Sequence, residues 1–319
     1  MRYLVTGGCG YIGSCLAARL LAEDHEVHII DWMNEGSKKN SFTLAKMGAK
    51  IFTADFYEAL DLITEYEYDA VFHFAAFIEV EESFTHSGDY YWNNAFKTLS
   101  FADWCAENGV KHFIFSSTAA VYSQQAKLLK EDDKCKPINP YGMSKFMAEQ
   151  GLELMQQSES SNGMKVICFR YFNVAGADNI EFLGEDRQKE THLIPLALLC
   201  KRIDDTMHIF GSDYKTKDGT CIRDYIDVND LVDAHILALK WDKTVFEIFN
   251  LGSGQGYSVL EILQKIDVKF DYKDRRAGDP DFLVADISKA KNLLGWTPKN
   301  NLIDMIESAK QYEEFKNGR

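Results

Sequence analysis

Tyr141 and Lys145 stand four residues apart in the segment NPYGMSKFMAEQ, residues 139–150. On a helix that spacing sets one side chain above the other. A lysine ammonium held near a phenol favours the phenolate and brings a pKa of about 10 down toward neutrality, which makes a usable base. The helix to hold the pair is signalled locally. Asn139 suits a cap, Pro140 suits the first helical position, and Met143, Phe146, Met147 and Leu152 form an apolar stripe at helical spacing. The same spacing recurs at Tyr312 and Lys316, so spacing alone equally describes a solvated surface pair.

The glycines of VTGGCGYIGS carry a second chemistry. Gly7, Gly10 and Gly13 form GxxGxxG between a strand ending near Val5 and a helix running to about Ala22. Such glycines permit a tight turn and let backbone amides and a helix N-terminus meet a pyrophosphate. Asp31 closes the second strand, where a carboxylate accepts from adenosine ribose hydroxyls. It would repel a 2'-phosphate, and DWMNEG offers no Arg to welcome one, so NAD is expected over NADP. Asp55, closing the third strand, reads as a partner for the adenine amine or as a solvated loop carboxylate. Arg223 and Arg276 are cations in an acidic chain whose forks suit paired phosphates, although each taken singly also reads as a surface ion pair. Asp279 suits ribose hydroxyls. No metal site is expected: His25 and His28 are an odd number apart on a strand, hence on opposite faces, with no third ligand evident.

The elements that must position these residues are written as apolar runs with helical stretches between them: RYLVTG, EVHIID, AKIFTAD, DAVFHFAA, KHFIFSS and KVICFRYFN. This alternation predicts an α/β fold, a doubly wound, Rossmann-like parallel sheet buried on both faces, with a smaller mixed α/β lobe. The expected boundaries are a dinucleotide-binding domain over 1–175, to which 220–248 returns, and a substrate lobe from 176–219 and 249–319. A net charge of −14 argues against nucleic acid or anionic membrane as partner and points to a small molecule. LIPLALLC is too short to span a bilayer, and the chain opens directly into a strand pattern. Seven scattered cysteines without CxxC suit reduced thiols, so a cytoplasmic location is expected.

In order along the chain, the glycine motif, then Ser116, Ser117 and Thr118 in FIFSSTAAVYS, then Tyr141 and Lys145 resemble the extended short-chain dehydrogenase/reductase family. That context separates Tyr141 from Tyr312, which has no such strand or hydroxyl before it. Within the family, RYFNVAGA, DGTCIRDYIDVNDL, NLGSGQGYSV, RRAGDP and KNLLGWTP are similar to segments of the UDP-hexose 4-epimerases over nearly the whole chain. The resemblance implies Thr118, Tyr141 and Lys145 as catalytic residues. It implies NAD contacts from Gly7, Gly10, Tyr11, Ile12, Gly13, Asp31, Asp55, Phe56, Phe74, Ala75, Ala76, Asn93, Ser116, Tyr141, Lys145 and Phe172. For a UDP-sugar it implies Thr118, Asn173, His192, Leu193, Phe210, Arg223, Arg276, Asp279 and Leu283, the last beside carbon 2 of the sugar.

The implied reaction is inversion at carbon 4 through a 4-keto sugar, with the same cofactor taking and returning the hydride and Tyr141, beside Lys145, handling the proton. N-acetylated UDP-hexoses are a further implied substrate pair, and a homodimer is the implied assembly. The sequence departs from the resembled pattern at Ile78, where some members carry Lys, at Trp32, where Asn is usual, at Ser123 in VYS, and in a shortened segment before Arg275 and Arg276. Two other readings remain in view. A nucleotide-sugar 4,6-dehydratase has an Asp-Glu pair after the Thr, where this chain has Ala119 and Ala120; an inactive NAD-sensing protein has no need of the trio.

Overall fold

The computed structural model describes residues 1–34, 37–123, 127–187, 190–276 and 279–318. Parts of DWMNEG and RRAGDP, namely Glu35, Gly36, Ala277 and Gly278, lie outside the described residues.

The six apolar runs form β1 (Arg2–Thr6), β2 (Glu26–Asp31), β3 (Lys50–Thr53), β4 (Ala70–His73), β5 (His112–Thr118) and β6 (Lys165–Tyr171). They alternate with α1 (Tyr11–Ala22), α2 (Ser37–Met47), α3 (Leu60–Ile63), α4 (Val80–Thr85), α5 (Ser87–Tyr91), α6 (Thr98–Glu107) and α7 (Pro140–Met155). A π-helical turn, Trp92–Lys97, joins α5 to α6. After β7 (Asn173–Ala175) follow α8 (Leu193–Ile203), β8 (Met207–Phe210), β9 (Ile222–Asp227), α9 (Val228–Ala238), β10 (Phe246–Leu251), β11 (Gly256–Ser258), α10 (Val259–Ile266), β12 (Phe270–Lys273), β13 (Phe282–Leu283) and α11 (Leu302–Lys316).

One parallel sheet of seven strands runs in the order β10-β6-β5-β4-β1-β2-β3. Successive side chains leave a strand on opposite faces, and both faces are covered. Val5, Ile29, Phe72 and Phe169 join α1 and α9 on one side. Leu4, Ile30, Val71, Phe113 and Phe115 join α6 and α7 on the other. Burial on both faces is why these strands read as continuous apolar runs. The chain passes from β1 outward to β2 and β3, then returns to β4 on the other side of β1. In open α/β sheets ligands bind beyond the carboxyl ends of the strands at such a reversal.

A smaller sheet takes β9 as its hub, with β11 antiparallel to it and β7 and β13 parallel. With the β8·β12 pair it packs on α8, α10 and α11 through a separate core that includes Ile194, Ile209, Tyr225, Ile262 and Met305. β9, placed in the segment returning to the first domain, joins the small sheet, and β10 runs past 248 to complete the large one. Strand-like composition cannot reveal which sheet a strand will join when its partners lie tens of residues away.

Candidate active site

α7 begins where its sequence says it should. Asn139 Oδ1 accepts from the Gly142 amide at 2.7 Å, and Pro140 occupies the first turn. Gly142 is required by the packing here, because a Cβ at that position would collide with the Ala120 carbonyl oxygen. The helix start thus lies directly against the turn after β5. This contact sets Tyr141 beside Thr118, whose hydroxyl accepts from the Ala120 amide at 3.1 Å and favours the ionised phenol. One turn further, Lys145 is 1% exposed and donates from Nζ to the Ser116 carbonyl at 2.7 Å. Thr118, Tyr141 and Lys145 accordingly converge at the carboxyl end of β5.

Their electrostatics differ from the simple expectation. Burial pushes the Tyr141 phenol up, and the groups that oppose this are the Thr118 hydroxyl and the Arg187 guanidinium rather than Lys145. Lys145 is itself brought down to about 7, mainly by burial, with Glu149 pulling the other way. A proton is thus easily removed from the lysine, while the phenol depends on Thr118 and Arg187 to offset its burial.

Tyr312 and Lys316 occupy a different setting. Tyr312 is 3% exposed under Gly184, its hydroxyl has no hydrogen-bond partner among the described residues, and Lys316 pairs with Asp186 and Glu313. That pair is structural.

The glycine turn is equally well defined. Gly7 has φ +65°, and a Cβ there would approach the Ala75 amide to 2.7 Å; one on Gly13 would strike the Gly7 carbonyl. The turn is thereby held close under the loop that carries Phe74, Ala75 and Ala76, with Gly10 capping α1. Asp31 is buried, accepting from the Cys9 amide at 3.0 Å and the Met33 amide at 2.9 Å, and burial raises its pKa. Tyr11 donates to the Gly176 carbonyl at 2.6 Å, and Ile12 packs on the adjoining core. Asp55 forms an ion pair with Lys97 at 2.7 Å. The Phe56 ring is in the core against His73 and Phe101, so only its backbone remains for a ligand. Asn93 lies in the π-helical turn and donates to Asn94. Phe172 follows β6 and is held by a backbone bond to Leu251.

The expected substrate residues come from the small lobe and its junction. Arg223 on β9 pairs with Asp279, which also accepts from the Tyr214 hydroxyl at 2.8 Å. Leu283 on β13 lies opposite Arg223 in register. Arg276 is half exposed with its guanidinium 4.1 Å from the Phe210 ring centroid. Asn173 donates to the Asp224 carbonyl at 3.0 Å. His192 caps α8 just before Leu193, 2.7 Å from Glu185.

Sequence reading missed Arg187. It spans the two lobes, with Nη1 2.9 Å from Glu79 and Nε 2.7 Å from Glu185, and it is the cation that acts on Tyr141. Its loop has no periodicity to announce it. Glu185, Glu190 and His192 also bring ligand atoms within 4.8 Å of one another, and of these Glu185 is paired with Arg187.

A family model described as NAD dependent epimerase/dehydratase family matches residues 3–252. The chain belongs to that family. UDP-glucose 4-epimerase of Lactobacillus helveticus is 41% identical, covering 98% of this chain and 97% of the relative. A UDP-glucose 4-epimerase of Stenotrophomonas maltophila, crystallised with NAD and formylated UDP-arabinopyranose, superposes with TM-score 0.92 at 32% identity over 100% of this chain and 99% of that one. The UDP-Glc/GlcNAc 4-epimerase of Campylobacter jejuni gives 0.83 at 40% identity over 98% and 99%. The residues present fit the family's NAD: a turn whose glycines leave no room for side chains, a helix N-terminus behind it, and a buried carboxylate closing β2.

Proposed function

We propose that this protein is an NAD-dependent 4-epimerase of UDP-hexoses that interconverts UDP-glucose and UDP-galactose through a 4-keto sugar. The observation that carries the reading is the convergence of Thr118, Tyr141 and buried Lys145 at the carboxyl end of β5, where the start of α7 packs on the turn after that strand, inside a chain of this family. NAD, when bound, supplies an acceptor for the carbon 4 hydride and later gives that hydride back. Gly7, Gly10, Gly13 and Asp31 hold it.

Tyr141 takes the proton from the carbon 4 oxygen and Thr118 relays it, while Lys145 is held one turn away by its bond to the Ser116 carbonyl. Arg223 and Arg276 hold the diphosphate, so that the keto sugar can turn about a fixed tether and accept hydride on its other face. On this reading the segments around β1–β6, α9 and β10 form the NAD-binding domain, and those around β8, α8 and α10–α11 form the substrate lobe.

The test is direct. Purified protein is incubated with UDP-galactose and no added NAD, and products are followed by NMR. UDP-glucose is expected without net NADH; stoichiometric NADH together with sugar consumption would overturn the reading in favour of a dehydrogenase.

Leu283 carries the finer proposal that N-acetylated UDP-hexoses are also interconverted. A leucine is shorter than a tyrosine and leaves room for an acetamido group. Leu283→Tyr is expected to remove N-acetyl turnover selectively, by more than the roughly 10- to 200-fold that one methylene commands. Parallel loss on both substrate pairs would show that Leu283 is not a size gate.

A homodimer through the helices of the NAD-binding half is proposed as well. α5 to α7 pack together and leave Trp92, Phe96, Met147 and Leu154 exposed, and the first two stack on each other at 4.4 Å. For location the proposal is the cytoplasm. All seven cysteines are free, as a reducing compartment would keep them, and among the described residues no helix is long and apolar enough to cross a membrane.

A further inference from the structure

β2 and β4 flank β1 on its two sides, so their carboxyl ends stand roughly 10 Å apart at the usual strand spacing. Trp32 is the first residue after β2, and Phe77 follows β4 by four residues. Their rings nevertheless meet, with centroids 5.4 Å apart at 43°. Because β1 runs between them into the Gly7–Gly13 turn, the contact must pass over that turn, at the mouth of the dinucleotide crevice.

The two sides of this contact are held differently. Phe77 is fixed: its amide donates to Asn94 Oδ1 at 2.9 Å and its carbonyl accepts from Asn94 Nδ2 at 2.8 Å. Asn94 is fully buried in the π-helical turn and also donates to Ser144 Oγ on α7, the helix of Tyr141. Trp32 is 56% exposed, an unusually open position for so large an apolar ring. The bond from the Met33 amide to Asp31, with Met33 at φ +61°, sets the direction in which the chain leaves β2. Ile78 adds a second open apolar side chain, 43% exposed, beside Phe77. None of these three side chains has a part in the proton chemistry.

We infer that Trp32 and Phe77 form an aromatic clasp across the cofactor crevice that contacts bound NAD and slows its release. Trp32 swings aside to admit the dinucleotide and then presents its indole face to it, with Phe77 as the fixed post. Such a contact suits an enzyme that must keep one cofactor through both halves of its reaction. The inference rests on the NAD reading above.

The test measures release rather than turnover. Protein loaded with NAD is freed of excess cofactor, and released NAD is captured by alcohol dehydrogenase with ethanol and read as NADH absorbance. Trp32→Ala and Phe77→Ala are each expected to speed release roughly tenfold, the double variant no more than either single, and Trp32→Phe is expected to stay within about twofold of wild type. Thermal melting of cofactor-free Trp32→Ala should match wild type, since that ring is open to water; a fall in melting temperature accompanying the faster release would assign the effect to folding and overturn the clasp. Unchanged release in both single variants, or effects that multiply in the double, would also overturn it. Failure of the wild type to retain NAD at all would sink the cofactor reading and the clasp with it.

Discussion

The Tyr141 phenol, the proposed acid/base, is tuned by neighbours of opposite effect. Burial raises its pKa while the Thr118 hydroxyl and the Arg187 charge lower it, so removing the hydroxyl of Tyr141 removes both the acid/base group and one end of the relay. Tyr141→Phe is expected to reduce kcat by roughly 10² or more, the scale of a positioned acid/base, with the fold intact by circular dichroism. Tyr312→Phe removes a buried hydroxyl that has no partner among the described residues and should leave turnover within about twofold and stability unchanged or slightly raised. Equal effects of the two changes would refute the assignment. Lys145 makes a prediction about pH. Its pKa falls from the usual 10.5 to about 7 in the folded chain, so between those values the unfolded chain binds more protons and the lysine's contribution favours folding increasingly as pH rises. The melting temperature of wild type relative to Lys145→Met should therefore climb from pH 7 to pH 10; a flat difference would mean that the lysine is not buried as a charge.

Among the elements, α7 and the end of β5 form the frame of the chemistry, and their closeness is limited by one atom pair. A methyl at position 142 meets the Ala120 backbone oxygen, which cannot yield, whereas a methyl at Gly151 of the same helix meets only the Leu99 side chain. Gly142→Ala is expected to destabilise by about 1–3 kcal/mol and to lower kcat by displacing Tyr141 from Thr118, with Gly151→Ala milder in both respects. Thermal melting together with initial rates decides this. Much at this scale was legible in the sequence: β1–β6 as apolar runs, the capped start of α7, the glycine turn, and the distinction between Tyr141 and Tyr312 by what precedes each. The rest was not, for a physical reason. The pairing of β7 with β9, the bridge from Arg187 to Glu79 and the contact of Trp32 with Phe77 join residues tens of positions apart, and neither periodicity nor propensity encodes which distant surface a loop will meet.

At the scale of the whole molecule, the large sheet and the later segments are tied together by many polar contacts, among them Tyr11 to Gly176, Arg187 to Glu79, Trp296 to Asp230 and Lys299 to Asp233, and Trp296 packs in the same cluster as Val5 and Phe72. Exposed apolar side chains on the helices from Ser87 to Met155 include Trp92, Phe96, Met147 and Leu154, the surface proposed for the dimer. Replacing Trp92 and Phe96 together by Glu should convert a dimer to a monomer in sedimentation experiments; an unchanged sedimentation coefficient would place the interface elsewhere. The position of β10 bears on how the chain is made. While the first 175 residues are all that has been synthesised, β6 has a bare edge, and the face of α1 that will meet α9 stays uncovered. The nucleotide-binding half is thus completed only after the chain has laid down β7 to β9 of the other lobe and returned with Phe246–Leu251. Biosynthesis begins the seven-stranded sheet first and finishes it late, which leaves the edge of β6 unpaired until Phe246–Leu251 has been made and makes the early and late segments interdependent in folding.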